Sequence, residues 1–369
     1  MNVKFVHCAD IHLDSPFALS GIGEGEKRRT ELRGAFASLI LETKRYGADV
    51  MLIAGDLFED EYVTKDTMLL IASELESLGD CRVFISPGNH DPYRSGSAYS
   101  LVAMPDNVRI FTSEQIENVY LEDKDVRVYG HAYTSPNPHI RPLEGFTKDL
   151  GNSKKLLVTH SVITSSPSPY SAISEEDILR TQFDYIALGH IHAHDGVRKS
   201  GVTTYCYSGC LEGRDFGECG HKGAIFGEIT EDGIKVETRR FSNRRYEKVS
   251  LDVTGIKNQA ELESALSDIC SPFGHDTALR ITFEGTRENT VPITEQSVRR
   301  AVNLPYFLDI DDRTAVRLDE ESLRRDSGIV GEFYRALEGK LESEDEEERR
   351  TARRALEYGL SAFNSARKR

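Results

Sequence analysis

The chain has 369 residues and a formal net charge of −15, from 46 basic and 61 acidic side chains. This length accommodates one large domain and a smaller one, and the acidic balance argues against a protein that binds polyanions through bulk charge. The sequence contains no long apolar run, and its six cysteines follow no disulfide spacing, so we expect a cytoplasmic protein with reduced thiols and no membrane association.

Apolar strands alternate with helices along the first two thirds of the chain. The predicted strands lie at residues 3–10, 49–56, 81–91, 154–161 and 184–192. The predicted helices lie at residues 26–47 and 65–78, and a short third helix begins after Ser174 as its N-cap. Strands that alternate with helices predict an α/β core with substantial parallel pairing.

The chain changes character from about residue 245. A strand, a helix and a second strand predict a small α+β module, and a charge-rich helical tail follows from about residue 320. The tail carries Leu356, Leu360 and Phe363 along one stripe, which would pack on its own domain or dock the helices of a partner. The predicted domains are 1–243, 244–315 and 316–369.

Five of the predicted strands end in short polar clusters. They are Asp10-Ile11-His12, Gly55-Asp56, Gly88-Asn89-His90-Asp91, Thr159-His160 and Gly189-His190-Ile191-His192. Ligands of open α/β sheets bind beyond the carboxyl ends of the strands, so we expect these clusters to meet. In extended backbone, Asp10 and His12 would point the same way and could hold one ion.

The chemistry of these clusters indicates a divalent metal. Imidazole, carboxylate and amide groups without a thiolate suit manganese or iron, with zinc as an alternative. We expect the glycines before Asp56, Asn89 and His190 to let the chain turn sharply after each strand.

In this order, the motifs D-x-H, G-D, G-N-H-D, H and G-H-x-H resemble the calcineurin-like metallophosphoesterases. ADIHLDSPF, AGDLFED, SPGNHDPY and LEGRDFGECGHKG are similar to the nuclease subunits of the double-strand-break repair complex, the SbcD type, and most of all to their YhaO-like branch. The resemblance covers roughly residues 1–240. It implies an α/β metallophosphoesterase core of mixed sheets flanked by helices, a small α+β capping domain and a helical C-terminal tail.

The resemblance also implies roles for the polar clusters. Two divalent ions would be held by Asp10, His12 and His192 on one side, by Asn89, His160 and His190 on the other, and by Asp56 as a bridge. A hydroxide between the ions would attack the phosphate. His90 would assist as an acid or by stabilising the transition state, and Asp91 would orient its ring.

The implied function is two-metal-dependent hydrolysis of phosphodiester bonds in DNA. The implied partners are DNA, an SbcC-like coiled-coil ATPase attached to the tail, and a second copy of the chain; the capping domain would help to shape the DNA-binding groove. One alternative is a phosphoesterase acting on a small nucleotide or lipid precursor, which the acidic net charge favours. Another is a DNA- or ATPase-binding subunit with marginal turnover.

The second alternative is motivated by Glu59, which stands where some relatives carry a histidine. Its charge would repel a DNA phosphate, while the metal site itself is expected to be unaffected.

Other histidines and cysteines have simpler interpretations. His7 and His131 match no ligand position, and His194 lies beyond the matched motif, so we expect structural or loop roles for all three. A separate zinc site is the alternative for four residues whose irregular spacing favours independent thiols near the site: Cys206, Cys210, Cys219 and His221.

Overall fold

The computed structural model describes residues 2–17, 24–147, 151–302, 305–317 and 319–367. The chain divides into two compact units, Met1–Tyr246 and Glu247–Arg369. The further division of the second unit into a capping domain and a tail stays a prediction. Among the described residues, no helix is long and apolar enough to cross a lipid bilayer.

Strands alternate with helices over residues 3–85 of the first unit, as predicted, whereas most of its later strands follow one another directly. Its strands are β1 (Val3–Cys8), β2 (Val50–Ile53), β3 (Arg82–Ile85), β4 (Val108–Ile110), β5 (Glu117–Leu121), β6 (Val126–Gly130), β7 (Lys154–His160), β8 (Val162–Ile163), β9 (Ala172–Ile173), β10 (Tyr185–Gly189), β11 (Arg198–Ser200), β12 (Thr203–Tyr207), β13 (Gly223–Thr230) and β14 (Gly233–Arg240). Its α-helices are α1 (Glu24–Tyr46), α2 (Lys65–Glu76) and α3 (Glu175–Thr181). The five predicted strands are all present but shorter than predicted, because most of their polar ends leave the sheet.

Two six-stranded sheets pack face to face in this unit. Their strand orders are β14-β13-β1-β2-β3-β4 and β11-β12-β10-β7-β6-β5. The neighbours from β1 to β4 are parallel, and so are those from β12 through β10 and β7 to β6. An apolar cluster fills the space between the sheets, where the ring centroids of Phe5 and Tyr185 are 4.4 Å apart. Strands covered on both faces explain the continuous apolar run of β2.

Helices cover the outer faces of both sheets. Leu32 and Phe36 of α1 and Met68 of α2 belong to the cluster beside the first sheet. Ile178 of α3 belongs to the cluster beside the second sheet. Ser174 caps α3 as predicted, since its hydroxyl accepts a hydrogen bond from the backbone N–H of Asp177 at 3.1 Å. The predicted α/β class, with mixed sheets flanked by helices, is confirmed.

The second unit contains a small sheet and several helices. Its elements are β15 (Arg245–Asp252), α4 (Gln259–Cys270), β16 (Thr277–Glu284), β17 (Thr286–Glu288), α5 (Glu295–Ala301), β18 (Phe307–Asp312), β19 (Ala315–Arg317), α6 (Glu320–Arg325), α7 (Ile329–Leu341) and α8 (Glu346–Arg367). Strands β15, β16 and β18 form one sheet. Leu356 and Leu360 of α8 are buried with Tyr334 of α7, and the Phe363 ring contacts Phe333 at 5.6 Å between centroids. The apolar stripe of the tail therefore packs within its own unit.

His7 links the two sheets of the first unit by hydrogen bonds. Its ring is fully buried, with Nε2 3.1 Å from the Leu188 carbonyl oxygen and Nδ1 2.9 Å from the Tyr185 hydroxyl. Because a carbonyl only accepts, Nε2 carries the proton and Nδ1 accepts from Tyr185. Burial lowers the pKa of His7 to about 3, so the ring is neutral in the fold. Its role is structural.

We expect His7 to make the fold sensitive to acid. Its pKa falls from an ordinary value of 6.5 to about 3, so its contribution is complete above the ordinary value and is lost as the pH falls toward the folded one. Between about pH 7 and about pH 5, this residue should account for a loss of about 2 kcal/mol in the free energy of unfolding. His7→Gln keeps a donor and an acceptor without titrating, so it should flatten the pH dependence measured by urea unfolding. Equal pH dependence in the two proteins would contradict this assignment.

Candidate metal centre

The carboxyl ends of β1, β2, β3, β7 and β10 meet at one edge of the two sheets. Backbone hydrogen bonds continue the pairing of β1 and β2 beyond the strands. Asp10 N–H donates to the Gly55 carbonyl at 3.0 Å, and His12 N–H donates to the Asp56 carbonyl at 2.9 Å. The Asp10 carboxylate accepts from the backbone N–H of His190, with its two oxygens 3.0 and 3.1 Å away. These bonds join loops from both sheets into one site.

Several site residues adopt left-handed backbone conformations. The φ angles of Asp10, His12 and Asp56 are 51°, 53° and 51°, and that of His190 is 96°. Such conformations cost about 1–3 kcal/mol each for non-glycine residues and cluster at functional sites. Asp10 and His12 therefore converge through strained loop backbone, which corrects the expectation that they alternate along extended backbone.

Glycine is required for different reasons at the three positions that precede the predicted ligands. Gly55 has a φ of +84°, which suits the sharp turn that the sequence predicted. Gly88 and Gly189 have no left-handed φ; a Cβ atom at Gly88 would overlap the Asp56 carboxylate, and one at Gly189 would overlap the Ala54 carbonyl. Close packing rather than turn geometry requires glycine at these two positions.

One group of ligand atoms comes from Asp10, His12, Asp56 and His192, whose donor atoms all lie within 4.8 Å of one another. His12 Nε2 is 3.2 Å from His192 Nε2 and 3.7 Å from Asp56 Oδ2. His192 Nε2 is 3.5 Å from Asp10 Oδ1.

A second group lies on the other side of Asp56. His160 Nε2 is 3.4 Å from Asp56 Oδ2 and 3.0 Å from Asn89 Oδ1. His190 Nδ1 is 3.2 Å from both Asn89 Oδ1 and His160 Nε2. The fold thus brings together all seven residues that the sequence predicted as ligands, with Asp56 between the two groups.

The protonation pattern of the imidazoles tests whether a metal fits. Three rings donate through Nδ1: His12 to Glu59 at 2.8 Å, His192 to Glu218 at 2.6 Å and His160 to the Ala54 carbonyl at 2.9 Å. Each Nε2 atom therefore carries a lone pair, which faces other lone pairs and carboxylate oxygens. Acceptors packed this closely repel one another unless a cation lies among them. The nitrogen and oxygen donor set fits divalent manganese, iron or zinc.

Burial governs the electrostatics of the ligands. It raises the pKa of Asp10 and lowers the pKa values of His12 and His190, the latter to about 4. Metal binding needs neutral imidazoles and ionised carboxylates. Burial thus favours neutral imidazoles at His12 and His190, whereas the pKa of His192 is raised because its hydrogen bond to Glu218 and the Asp10 charge outweigh burial. Of the two carboxylates, Asp10 needs the charge of a cation, while the neighbouring His160 and His12 hold the pKa of Asp56 below its usual range despite burial.

Glu59 contacts the candidate metal centre directly, which corrects the expectation that it leaves the site unaffected. Its Oε1 atom accepts from His12 Nδ1 at 2.8 Å, and its Oε2 atom accepts from His90 Nδ1 at 2.7 Å. Burial would raise the pKa of Glu59, but these two bonds hold it well below its usual range. The same contact raises the pKa of His90 to about 9. One carboxylate therefore positions a ligand and the proposed acid.

Asp91 has a different role from the predicted one. Its carboxylate is fully buried. It accepts four hydrogen bonds: from the backbone N–H groups of Asp56 (3.0 Å), Leu57 (3.0 Å) and Gly88 (2.6 Å) and from the Tyr99 hydroxyl (2.7 Å). Asp91 thus fixes two ligand-bearing loops, while Glu59 orients the His90 ring.

Two further charged residues at the site were not predicted. Glu218 accepts from His192, and Arg214 donates to both Glu218 and Glu59. Both lie in the segment LEGRDFGECGHKG, which resembles the family but follows no ligand-bearing strand. The feature of the sequence that could have indicated their pairing is the spacing of four residues between the opposite charges of Arg214 and Glu218.

The other histidines and the cysteines lie outside the ligand groups. His131 is buried against Thr159, with Nε2 2.7 Å from its hydroxyl. Both ring nitrogens of His194 have protein partners, the Tyr207 carbonyl and the Thr238 hydroxyl. Within the described parts of the chain, no group of residues able to hold a metal contains a cysteine, so the separate zinc site is not supported.

A family model described as calcineurin-like phosphoesterase matches residues 3–194. The chain belongs to the calcineurin-like phosphoesterase family. It is therefore a metal-dependent hydrolase, and the paired ligand groups support two divalent ions.

Individual relatives extend this comparison. The chain is 28% identical over 299 residues to the uncharacterized metallophosphoesterase YhaO of Bacillus subtilis, covering 77% of this chain and 72% of that protein. It is 24% identical over 212 residues to the DNA double-strand break repair protein Mre11 of Methanopyrus kandleri, covering 52% of this chain and 44% of the relative. A solved dimetal phosphatase from Danio rerio is 13% identical, with a TM-score of 0.40 and coverage of 65% of this chain and 96% of that one.

Substitution should separate the roles of Asp91 and Glu59. Asp91→Asn replaces an acceptor oxygen by an amide donor that faces backbone N–H groups, so the free energy of unfolding should fall by about 2–4 kcal/mol. Glu59→Gln keeps one acceptor at the edge of the site and should cost clearly less stability. Urea unfolding of the metal-free proteins measures both. An Asp91→Asn chain as stable as the wild type would show that the four hydrogen bonds do not hold the loops.

Proposed function

We propose that the chain is an SbcD-type nuclease subunit that hydrolyses phosphodiester bonds in DNA with two divalent metal ions. The observation that carries the proposal is the position of Asp56 between two groups of ligand atoms, with His90 beside them. Similarity to a protein named for DNA double-strand break repair supports DNA as the substrate.

The seven ligands divide between the two ions. We assign Asp10, His12 and His192 to one ion, Asn89, His160 and His190 to the other, and Asp56 to both. Manganese is the first candidate because the donor set contains no thiolate. When bound, two such ions would supply Lewis acidity that activates water and neutralises the phosphate.

His90 is placed to act on the substrate. Its Nδ1 atom is bound to Glu59, so Nε2 is the ring nitrogen that remains for a substrate. The side chain is 42% exposed and lines an open cavity of about 470 Å³ together with Asn89 and Arg214. We assign His90 the transfer of a proton to the leaving oxygen, with Glu59 keeping its ring in position.

A small phosphodiester is the second candidate substrate. Three consecutive acidic residues line the same cavity, and the two arginines of its lining are paired with two of them, Arg214 with Glu59 and Arg94 with Asp60. The cavity therefore has no excess of positive charge along which several backbone phosphates of DNA would lie, whereas a substrate with a single phosphodiester needs no such path.

The proposal extends to partners. The resemblance to SbcD-type subunits supports a dimer formed through the first unit and an SbcC-like coiled-coil ATPase bound to the helices of the second unit. Within those helices, Ile329 and Tyr358 are 67% and 77% exposed although both are large and apolar. We expect Tyr358→Glu to weaken co-purification with such an ATPase while leaving the metal content unchanged, which a copurification assay with metal analysis tests. Undiminished copurification would place the ATPase elsewhere.

Degradation of end-labelled linear duplex DNA with manganese tests the nuclease function. We expect the wild type to cut, a chelator to abolish cutting, and both Asp56→Ala and His90→Gln to lower the rate by about 100-fold or more. His194→Gln is the matched control for a histidine outside the ligand groups and should cut at the wild-type rate.

A chromogenic phosphodiester distinguishes the two substrates. If that compound is hydrolysed in an Asp56-dependent way and DNA stays intact, the site hydrolyses phosphodiesters but DNA without a partner is the wrong substrate, which favours the small-substrate function. If neither substrate is hydrolysed by a folded, manganese-loaded chain, the proposed function is wrong.

A further inference from the structure

We propose that Arg214 is a positioning residue that holds one of the two metal sites in shape. It joins Glu59 and Glu218, the two carboxylates that orient the imidazoles of His12 and His192. The inference rests on the ligand roles assigned under the proposed function, but it does not depend on DNA as the substrate.

The hydrogen bonds of Arg214 place it between the two carboxylates. Its Nη2 and Nε atoms lie 2.9 and 3.2 Å from Glu218 Oε1, and its backbone N–H donates to Glu218 Oε2 at 2.8 Å. Its Nη1 atom donates to Glu59 Oε1 at 3.3 Å. The planar guanidinium thereby sets the separation of two carboxylates that are 155 and 4 residues away in the chain.

Each of the two carboxylates in turn fixes an imidazole ring, and both rings are assigned to the same ion. Glu218 Oε1 accepts from His192 Nδ1 at 2.6 Å, and Glu59 Oε1 accepts from His12 Nδ1 at 2.8 Å. Arg214 Nη2 is also 2.9 Å from His192 Nδ1, but both atoms are donors, so Glu218 accepts from each of them. The facing Nε2 atoms of the two rings are held 3.2 Å apart as a result.

The second proposed ion does not share this support. His160 is oriented by the Ala54 carbonyl, and its Nε2 atom faces Asn89 and Asp56. Loss of Arg214 should therefore affect one ion much more than the other. That selectivity separates a positioning role from a general contribution to stability.

The charge of Arg214 also matters. A further set of residues, outside the two ligand groups, could hold a metal by itself: His12, Glu59 and His90. A guanidinium 3.3 Å from Glu59 repels a cation at that point and keeps the carboxylate as an acceptor for the two imidazoles. A neutral side chain of similar size would lack this effect.

The segment that carries Arg214 is itself anchored. The buried Arg28 donates to Glu212 Oε2 at 3.2 Å and to the Gly213 carbonyl at 2.9 Å. Glu212 is also buried, so the backbone just before Arg214 is fixed to α1. A positioning residue needs such rigid support, because any displacement of its side chain would also displace the ligands that it holds.

Manganese binding to the full, metal-stripped chain tests the proposal without any substrate. Isothermal titration should show two ions per wild-type chain, and electron paramagnetic resonance should show their magnetic coupling. For Arg214→Gln, we expect one ion to bind about 10–100-fold more weakly, the other to keep its affinity, and the coupled signal to give way to that of isolated manganese. Arg94→Gln is the matched control: it lines the same cavity but pairs with Asp60, so both ions and their coupling should remain.

Two reference variants make the result decisive. Glu218→Gln should weaken the same ion, and Asp10→Asn should weaken it at least as much. If Asp10→Asn acts and Arg214→Gln keeps both affinities and the coupling, Arg214 is not a positioning residue, although the ligand assignment stands. If Asp10→Asn also binds two coupled ions, the ligand assignment itself is wrong. Equal weakening of both ions by Arg214→Gln, with or without a lower melting temperature, would contradict the selective role.

Discussion

The site depends on one electrostatic constraint: acceptor nitrogens of three imidazoles are packed close to the Asp56 carboxylate. The Nε2 atoms of His12 and His192 are 3.2 Å apart, and the Asp56 carboxylate lies between this pair and His160. Each of these three imidazoles donates its Nδ1 proton to a partner outside the cluster. Without a cation, this arrangement is repulsive, so its persistence requires the surrounding structure to hold it.

The two-sheet scaffold provides that support. Left-handed backbone at Asp10 and Asp56 is unfavourable by itself. Backbone hydrogen bonds between the two loops, from Asp10 to Gly55 and from His12 to Asp56, hold them in this conformation. The Asp91 carboxylate accepts hydrogen bonds from three backbone N–H groups. Because Gly88 and Gly189 lack a Cβ atom, their loops can approach the loop after β2 closely. The rigidity of the buried parallel strands therefore preorganises the ligands, as a metal site requires.

The sequence predicted the five strands that lead into the site, and the convergence of the polar residues after them, because both leave local signals. Apolar runs such as VMLI mark strands covered on both faces, and the polar residues that follow them meet at one sheet edge. It did not predict contacts between distant segments, such as Glu59 with Arg214, which are 155 residues apart. Nor did it predict the left-handed φ of His12, a conformation that is uncommon for any residue other than glycine and leaves no pattern in the sequence. The other strands of the first unit, from the short β5 and β11 to the longer β13 and β14, were also not predicted.

The effect of the Glu59 charge on a substrate depends on the groups that contact its carboxylate. As a lone acid beside the metals, it would repel a phosphate, and this was the sequence-based argument for marginal turnover. In the structure, its carboxylate accepts from His12, His90 and Arg214, and its side chain is only 11% exposed. The positive charge of Arg214 and the raised pKa of His90 offset its negative charge. The acid therefore acts inside the hydrogen-bond network, and its presence gives no electrostatic reason to deny the site a phosphodiester substrate.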